Sequence, residues 1–82
     1  MKYRELSQEA KDKAICDRIE LWIETIPVDK VSHNSNYYRA YKECERMRTP
    51  WFFGEYIYEY CKNQLEKELR GLEFAEDGTV MC

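Results

Sequence analysis

Three glycines, two prolines and a single histidine are all that this 82-residue chain holds of those types. So little glycine excludes a phosphate-cradling P-loop and a dinucleotide fingerprint, each of which needs glycines at fixed close spacing, whereas these stand at 54, 71 and 78. One histidine, His33, lies in a polar stretch with no G-x-S-x-G and no fixed-spacing nucleophile, so a triad or dyad has no base to build on. No apolar run approaches the roughly 18 to 20 residues that span a bilayer. The opening MKYRELSQEA also lacks the apolar centre of a secretory signal, which points to the cytoplasm and to no membrane partner. Charge of one sign is missing too. Thirteen basic against 16 acidic residues leave a net charge of -3, too small for a basic nucleic-acid binder or a polyanionic mimic.

What is present is a globular composition, with 44% hydrophobic and 15% aromatic residues. A chain of this length forms one domain, 1–82, and hides only about 60–65% of its unfolded surface on folding, so its core is thin. Cys16, Cys44, Cys61 and Cys82 form no CxxC or short Cys/His pair, so neither a zinc chelate nor another metal or cofactor site is expected. Reduced thiols fit a chain without a signal, with Cys16, Cys44 and Cys61 serving as small core residues and Cys82 exposed. The paired acids Glu20/Glu24 and Glu55/Glu59 stand at helical spacing and read as solvated faces, so no catalytic residue is assigned.

Hydrophobic spacing and start signals predict three helices. Ser7 caps the first, over 8–25, whose stripe reads Ala10, Ile15, Ile19, Trp22, Ile23 and Ile26 before Pro27 ends it. Ser35 or Asn34 caps the second, over 35–48, with Tyr37, Ala40, Tyr41, Cys44 and Met47 inward. Thr49-Pro50 reads as cap and first turn of the third, over 50–70. Phe53, Ile57, Tyr60, Cys61, Leu65 and Leu69 point inward, and Gly71 serves as a left-handed stop. Gly54 leaves room for another backbone to approach. Leu72-Glu73-Phe74 and Thr79-Val80-Met81 around the Asp77-Gly78 turn predict a hairpin, and residues 2–6 could add a third strand. The fold class is therefore α+β, a three-helix core with a C-terminal hairpin.

Two surfaces stand out. Seven Tyr, three Phe and two Trp exceed what a thin core needs, and neighbouring aromatics on one helix cannot all face inward. Tyr38, Trp51 and Tyr58 are the exposed candidates for a partner-binding face, since Tyr and Trp concentrate at interface hot spots. A homodimer would also cover such a face. The second surface is a basic stripe of Arg39, Lys42 and Arg46 with Arg48 beyond, able to track phosphates or an acidic protein patch, although Glu43 and Glu45 interrupt it.

The opening Glu5-Leu6-Ser7-Gln8-Glu9-Ala10-Lys11, with Ala14, and the closing Gly71-Leu72-Glu73-Phe74-Ala75-Glu76-Asp77-Gly78 resemble the two ends of small bacteriophage and prophage accessory proteins. The resemblance covers about 25 residues and carries no catalytic position. It implies a non-enzymatic protein of the class that includes anti-CRISPR and other anti-defence inhibitors, acting in the host cytoplasm by occupying a surface of a host protein complex. A small nucleic-acid-binding regulator using the basic stripe is the alternative.

Overall fold

The computed structural model describes residues 1–81, so the expectation of an exposed Cys82 lies outside the described residues. Three helices, α1 (Gln8–Thr25), α2 (Asn36–Arg46) and α3 (Phe53–Arg70), are followed by an antiparallel hairpin of β1 (Glu73–Phe74) and β2 (Val80–Met81). This is the α+β arrangement that spacing predicts. Short 3-10 turns precede α1 (Tyr3–Glu5), α2 (Val28–Lys30) and α3 (Pro50–Phe52). No helix among the described residues is long and apolar enough to cross a membrane.

The start signals of α1 and α2 act as their chemistry requires. Ser7 Oγ accepts from the Ala10 amide at 3.2 Å, and Ser35 Oγ accepts from the Tyr38 amide at 3.2 Å, each satisfying a donor that a helix start leaves free. Thr49 does not cap α3. Its hydroxyl instead lies 3.5 Å from the Tyr56 hydroxyl, and Pro50 opens a 3-10 turn, so α3 proper starts at Phe53. Inside α3 the Cys61 backbone leaves helical geometry (φ -115, ψ 16), which bends the helix where its most buried side chains lie.

The helix ends exchange the roles expected of them. Gly71 closes α3 in the right-handed region (φ -85, ψ -1), whereas the left-handed stop belongs to Arg48 (φ 57) after α2. There the Thr49 amide donates to the Cys44 carbonyl at 3.1 Å and the Arg48 amide to the Glu45 carbonyl at 3.1 Å. That pair of bonds is a Schellman closure, built on an arginine where glycine is the usual occupant. It shortens α2 by two residues against expectation and leaves Met47, past the helix end, half exposed.

The core joins Ala14, Ile15, Ile19 and Trp22 of α1, Tyr37 and Ala40 of α2, and Ile57, Cys61, Leu65 and Leu69 of α3 to Phe74 of β1. Positions 57, 61, 65 and 69 repeat at i, i+4, so Tyr60 falls beside this seam and is exposed, contrary to the sequence reading. Ile23 falls off the α1 stripe, and Cys16, expected as a small core residue, lies beside it; both are exposed. Tyr37 Oη donates to the Ile26 carbonyl at 3.1 Å, tying α2 to the end of α1, and burial pushes its phenol above the ordinary value. Arg18 (2.9 Å) and the Trp22 indole (3.4 Å) both donate to Glu68, joining α1 to α3.

Among the described residues the hairpin gains one bridge from the N-terminus. Lys2 pairs with Glu73, and Phe74 donates its amide to the Met1 carbonyl at 2.7 Å, but residues 3–5 coil into a 3-10 turn in place of the third strand that their alternation suggests. The hairpin is held chiefly by Phe74, whose side chain is fully buried, and by Gly78. With φ +94, Gly78 rests against the backbone of Ala10, where a Cβ would lie 3.0 Å from the Ala10 carbonyl carbon. The close backbone approach expected at Gly54 thus occurs at Gly78. At Gly54 the neighbour is a side chain, with the Ile19 Cγ2 atom 3.4 Å from where a Cβ would stand.

Candidate functional site

Of the three aromatic candidates, the fold brings two together. Trp51 precedes α3 in its 3-10 turn and is 72% exposed, although it makes an edge contact with Phe52 at 5.9 Å. Tyr58, two turns on, is exposed at 38%. Tyr38 differs from expectation: it is half-buried, stacked on His33 with ring centroids 4.4 Å apart and covered on one side by Lys42, 5.5 Å from its ring. It lies on α2 and does not join the other two.

Trp51 and Tyr58 flank an open groove of about 590 Å³ between α1 and α3. From α1 the groove takes Ile15, Cys16, Ile19 and Ile23, and from α3 it takes Gly54. Positions 51, 54, 55 and 58 stand at i, i+3, i+4 and i+7, while 12, 15, 16, 19, 20 and 23 form the matching ridge on α1. The bare Cα of Gly54 leaves the floor open above Ile19. Exposed Ile23 and Trp51 make this an apolar surface that folding leaves in water.

The rim is acidic. Asp12, Glu20 and Glu55 line the groove, none of its lining residues is a cation, and none of the three carboxylates joins an ion pair among the described residues. Among the described residues Asp12 accepts only one side-chain hydrogen bond, from Gln8 Nε2 at 2.9 Å. Sequence reading missed Cys16, Ile23, Gly54 and these carboxylates because it followed one stripe per helix. The signal that could have found them is a second register, offset by one residue from the core stripe, shared by α1 and the start of α3.

The basic stripe is weaker than its residue count suggests. Arg46 forms two hydrogen bonds with Glu43, which holds that carboxyl below the ordinary range. Lys42 lies 3.8 Å from Glu45 and over the Tyr38 ring. Arg39 and Arg48 form no ion pair among the described residues, and the left-handed turn takes Arg48 out of the helical row. Burial pushes the Cys44 and Cys61 thiols up, and Cys44 donates to the Thr49 carbonyl at 2.9 Å, so both serve as core residues. Among the described residues no three His, Cys, Asp or Glu side chains group closely enough to hold a metal ion. No protein-family model matches the chain, and neither a curated protein nor a solved structure matches it.

Proposed function

We propose that this protein is a non-enzymatic binding module whose α1/α3 groove receives an amphipathic, basic segment of a larger protein. The observation that carries the reading is a solvent-facing Trp51 over an apolar groove whose rim holds three carboxylates free of ion pairs among the described residues. Burying the indole and the exposed isoleucine supplies affinity, because apolar surface removed from water contributes about 25 cal/mol per Å². The carboxylates select the partner, since a Lys- or Arg-flanked apolar stripe neutralises them and an acidic one is repelled. A second copy docked groove to groove would set these carboxylates against one another, which disfavours a homodimer through this face. By the resemblance of the chain's two ends to phage accessory proteins, the partner belongs to a host protein complex, inhibited or redirected when this surface is occupied.

The basic stripe supports the nucleic-acid alternative less well, because Lys42 and Arg46 already have acidic neighbours on their own helix. The test replaces Trp51 and Tyr58 by alanine, and separately Arg39 and Lys42 by glutamine, in tagged protein exposed to bacterial lysate with nuclease added. The groove variant should lose the partner while keeping its fold by circular dichroism, and the stripe variant should retain it. Loss confined to the stripe variant would overturn the reading.

A further inference from the structure

Past Tyr58 the outer side of α3 continues into a second concavity, of about 300 Å³, with the opposite charge. Arg4 from the N-terminal 3-10 turn, Lys11 from α1, and Lys62 and Arg70 from α3 line it, and among the described residues the one carboxylate lining it is that of Glu66. Four cations converge here on a protein whose net charge is -3. Arg4, Lys11 and Lys62 form no ion pair among the described residues, as Lys30, Arg39, Arg48 and Lys67 do not elsewhere, but only here do such unpaired cations line one concavity. Arg70 meets Glu66 only at 3.7 Å.

Aromatic rings hold two of these cations in place without neutralising them. The Lys11 ammonium lies 5.7 Å from the centre of the Tyr3 ring, and that of Lys62 lies 5.8 Å from the centre of the Tyr58 ring. Like charges gathered from three separate segments repel one another, and one weakly placed carboxylate leaves most of that repulsion standing. A multiply charged anion removes it. Guanidinium groups such as those of Arg4 and Arg70 present paired donors suited to phosphate oxygens, and lysines add mobile point charges. The volume is at the low end for a small-molecule site. The neighbouring acidic groove repels any anion long enough to run out of the pocket.

We infer that this pocket binds the phosphate chain of a small oligophosphate, either free or carried by a nucleoside. The pocket shares Ile15 and Tyr58 with the groove but not Trp51, so Trp51→Ala should leave it intact. The test is calorimetric titration of the full chain with sodium tripolyphosphate, ATP, inorganic phosphate and sulfate, and with a single-stranded oligonucleotide. Tripolyphosphate should bind at least about tenfold more tightly than phosphate or sulfate, and more weakly as salt screens the charges. Equal binding of ATP and tripolyphosphate would show that the phosphates alone are read, and tighter ATP binding would identify the nucleoside-borne form. Lys11→Gln and Lys62→Gln should each weaken binding about threefold to fivefold. Glu66→Gln should tighten it by a similar factor, a gain that loss of structure cannot produce. Arg39→Gln should change nothing. Equal affinity for sulfate and tripolyphosphate, indifference to Glu66→Gln, or tighter binding of the oligonucleotide would each overturn the inference.

Discussion

Replacing Gly78 by alanine should be the most damaging single-methyl change in the hairpin, and its size can be worked from the structure. At φ +94 an L side chain is strained, at about 1–2 kcal/mol. The new Cβ would also stand 3.0 Å from the carbonyl carbon and 3.1 Å from the Cα of Ala10, with the carbonyl oxygen nearer still. Ala10 cannot yield easily, because it is buried and its amide is the one that Ser7 caps. The hairpin must therefore lift from α1, partly exposing Phe74 and forfeiting part of the roughly 1.5–3 kcal/mol its burial contributes. The sum is about 3–4 kcal/mol, against a total stability of roughly 4–12 kcal/mol for a chain of this length. Urea unfolding followed by far-ultraviolet circular dichroism measures it, with Gly71→Ala as the control. At Gly71 the backbone is right-handed and the nearest atom to a Cβ is 3.5 Å away, so alanine should be neutral or gain up to about 1 kcal/mol. A Gly78→Ala loss under about 1 kcal/mol, or a greater loss at Gly71, would refute the packing of the hairpin on α1.

Arg48→Gly should stabilise the protein by about 0.5–1 kcal/mol in the same assay by relieving the left-handed turn, and a loss would contradict the Schellman closure. Tyr37→Phe should cost about 1 kcal/mol by leaving the Ile26 carbonyl without its donor; an unchanged urea midpoint would rule that bond out as a tie between α1 and α2. Lys2 holds the Glu73 carboxyl below its ordinary value near 4.5, so the pair's contribution is present above that value and is lost as pH falls through the lower native one. In an NMR titration Lys2→Gln should move the Glu73 midpoint upward, and a stationary midpoint would remove Lys2 as the cause. Alkylation of the native protein should label Cys16 quickly and Cys44 and Cys61 only on unfolding; rapid labelling of Cys61 would contradict its place in the core.

Most of the fold was legible because it rests on local chemistry. Ser7, Ser35 and Pro27 mark helix bounds by satisfying or removing backbone donors within a few residues, and the Asp77-Gly78 turn follows from the left-handed freedom of glycine. The roles of Gly71 and Arg48 were not legible from residue identity, since the left-handed residue of the closure before Thr49-Pro50 is an arginine, where glycine is the usual occupant. Trp51 and Tyr58 could be named as surface residues from crowding on one helix. Their meeting with Cys16 and Ile23 could not, because it depends on how α1 and α3 cross. Tyr38 was misplaced for a similar reason: nothing in helical spacing shows that His33, in the preceding loop, folds back onto its ring. The basic pocket was invisible along the chain, its four cations being spread from position 4 to position 70.

The groove's role as a partner site is tested most directly by a photo-crosslinker attached at Cys16, in a Cys82→Ser background, with the labelled protein exposed to bacterial lysate and the crosslinked peptides sequenced. A control attaches the same crosslinker at position 39, on the exposed side of α2, in a variant carrying Arg39→Cys, Cys16→Ser and Cys82→Ser. The account predicts one recurrent segment captured from Cys16 and not from position 39, with apolar residues at helical spacing flanked by Lys or Arg, and its loss on Trp51→Ala. Capture of an acidic segment, of a second copy of this chain, or of the same peptides from both positions would contradict it.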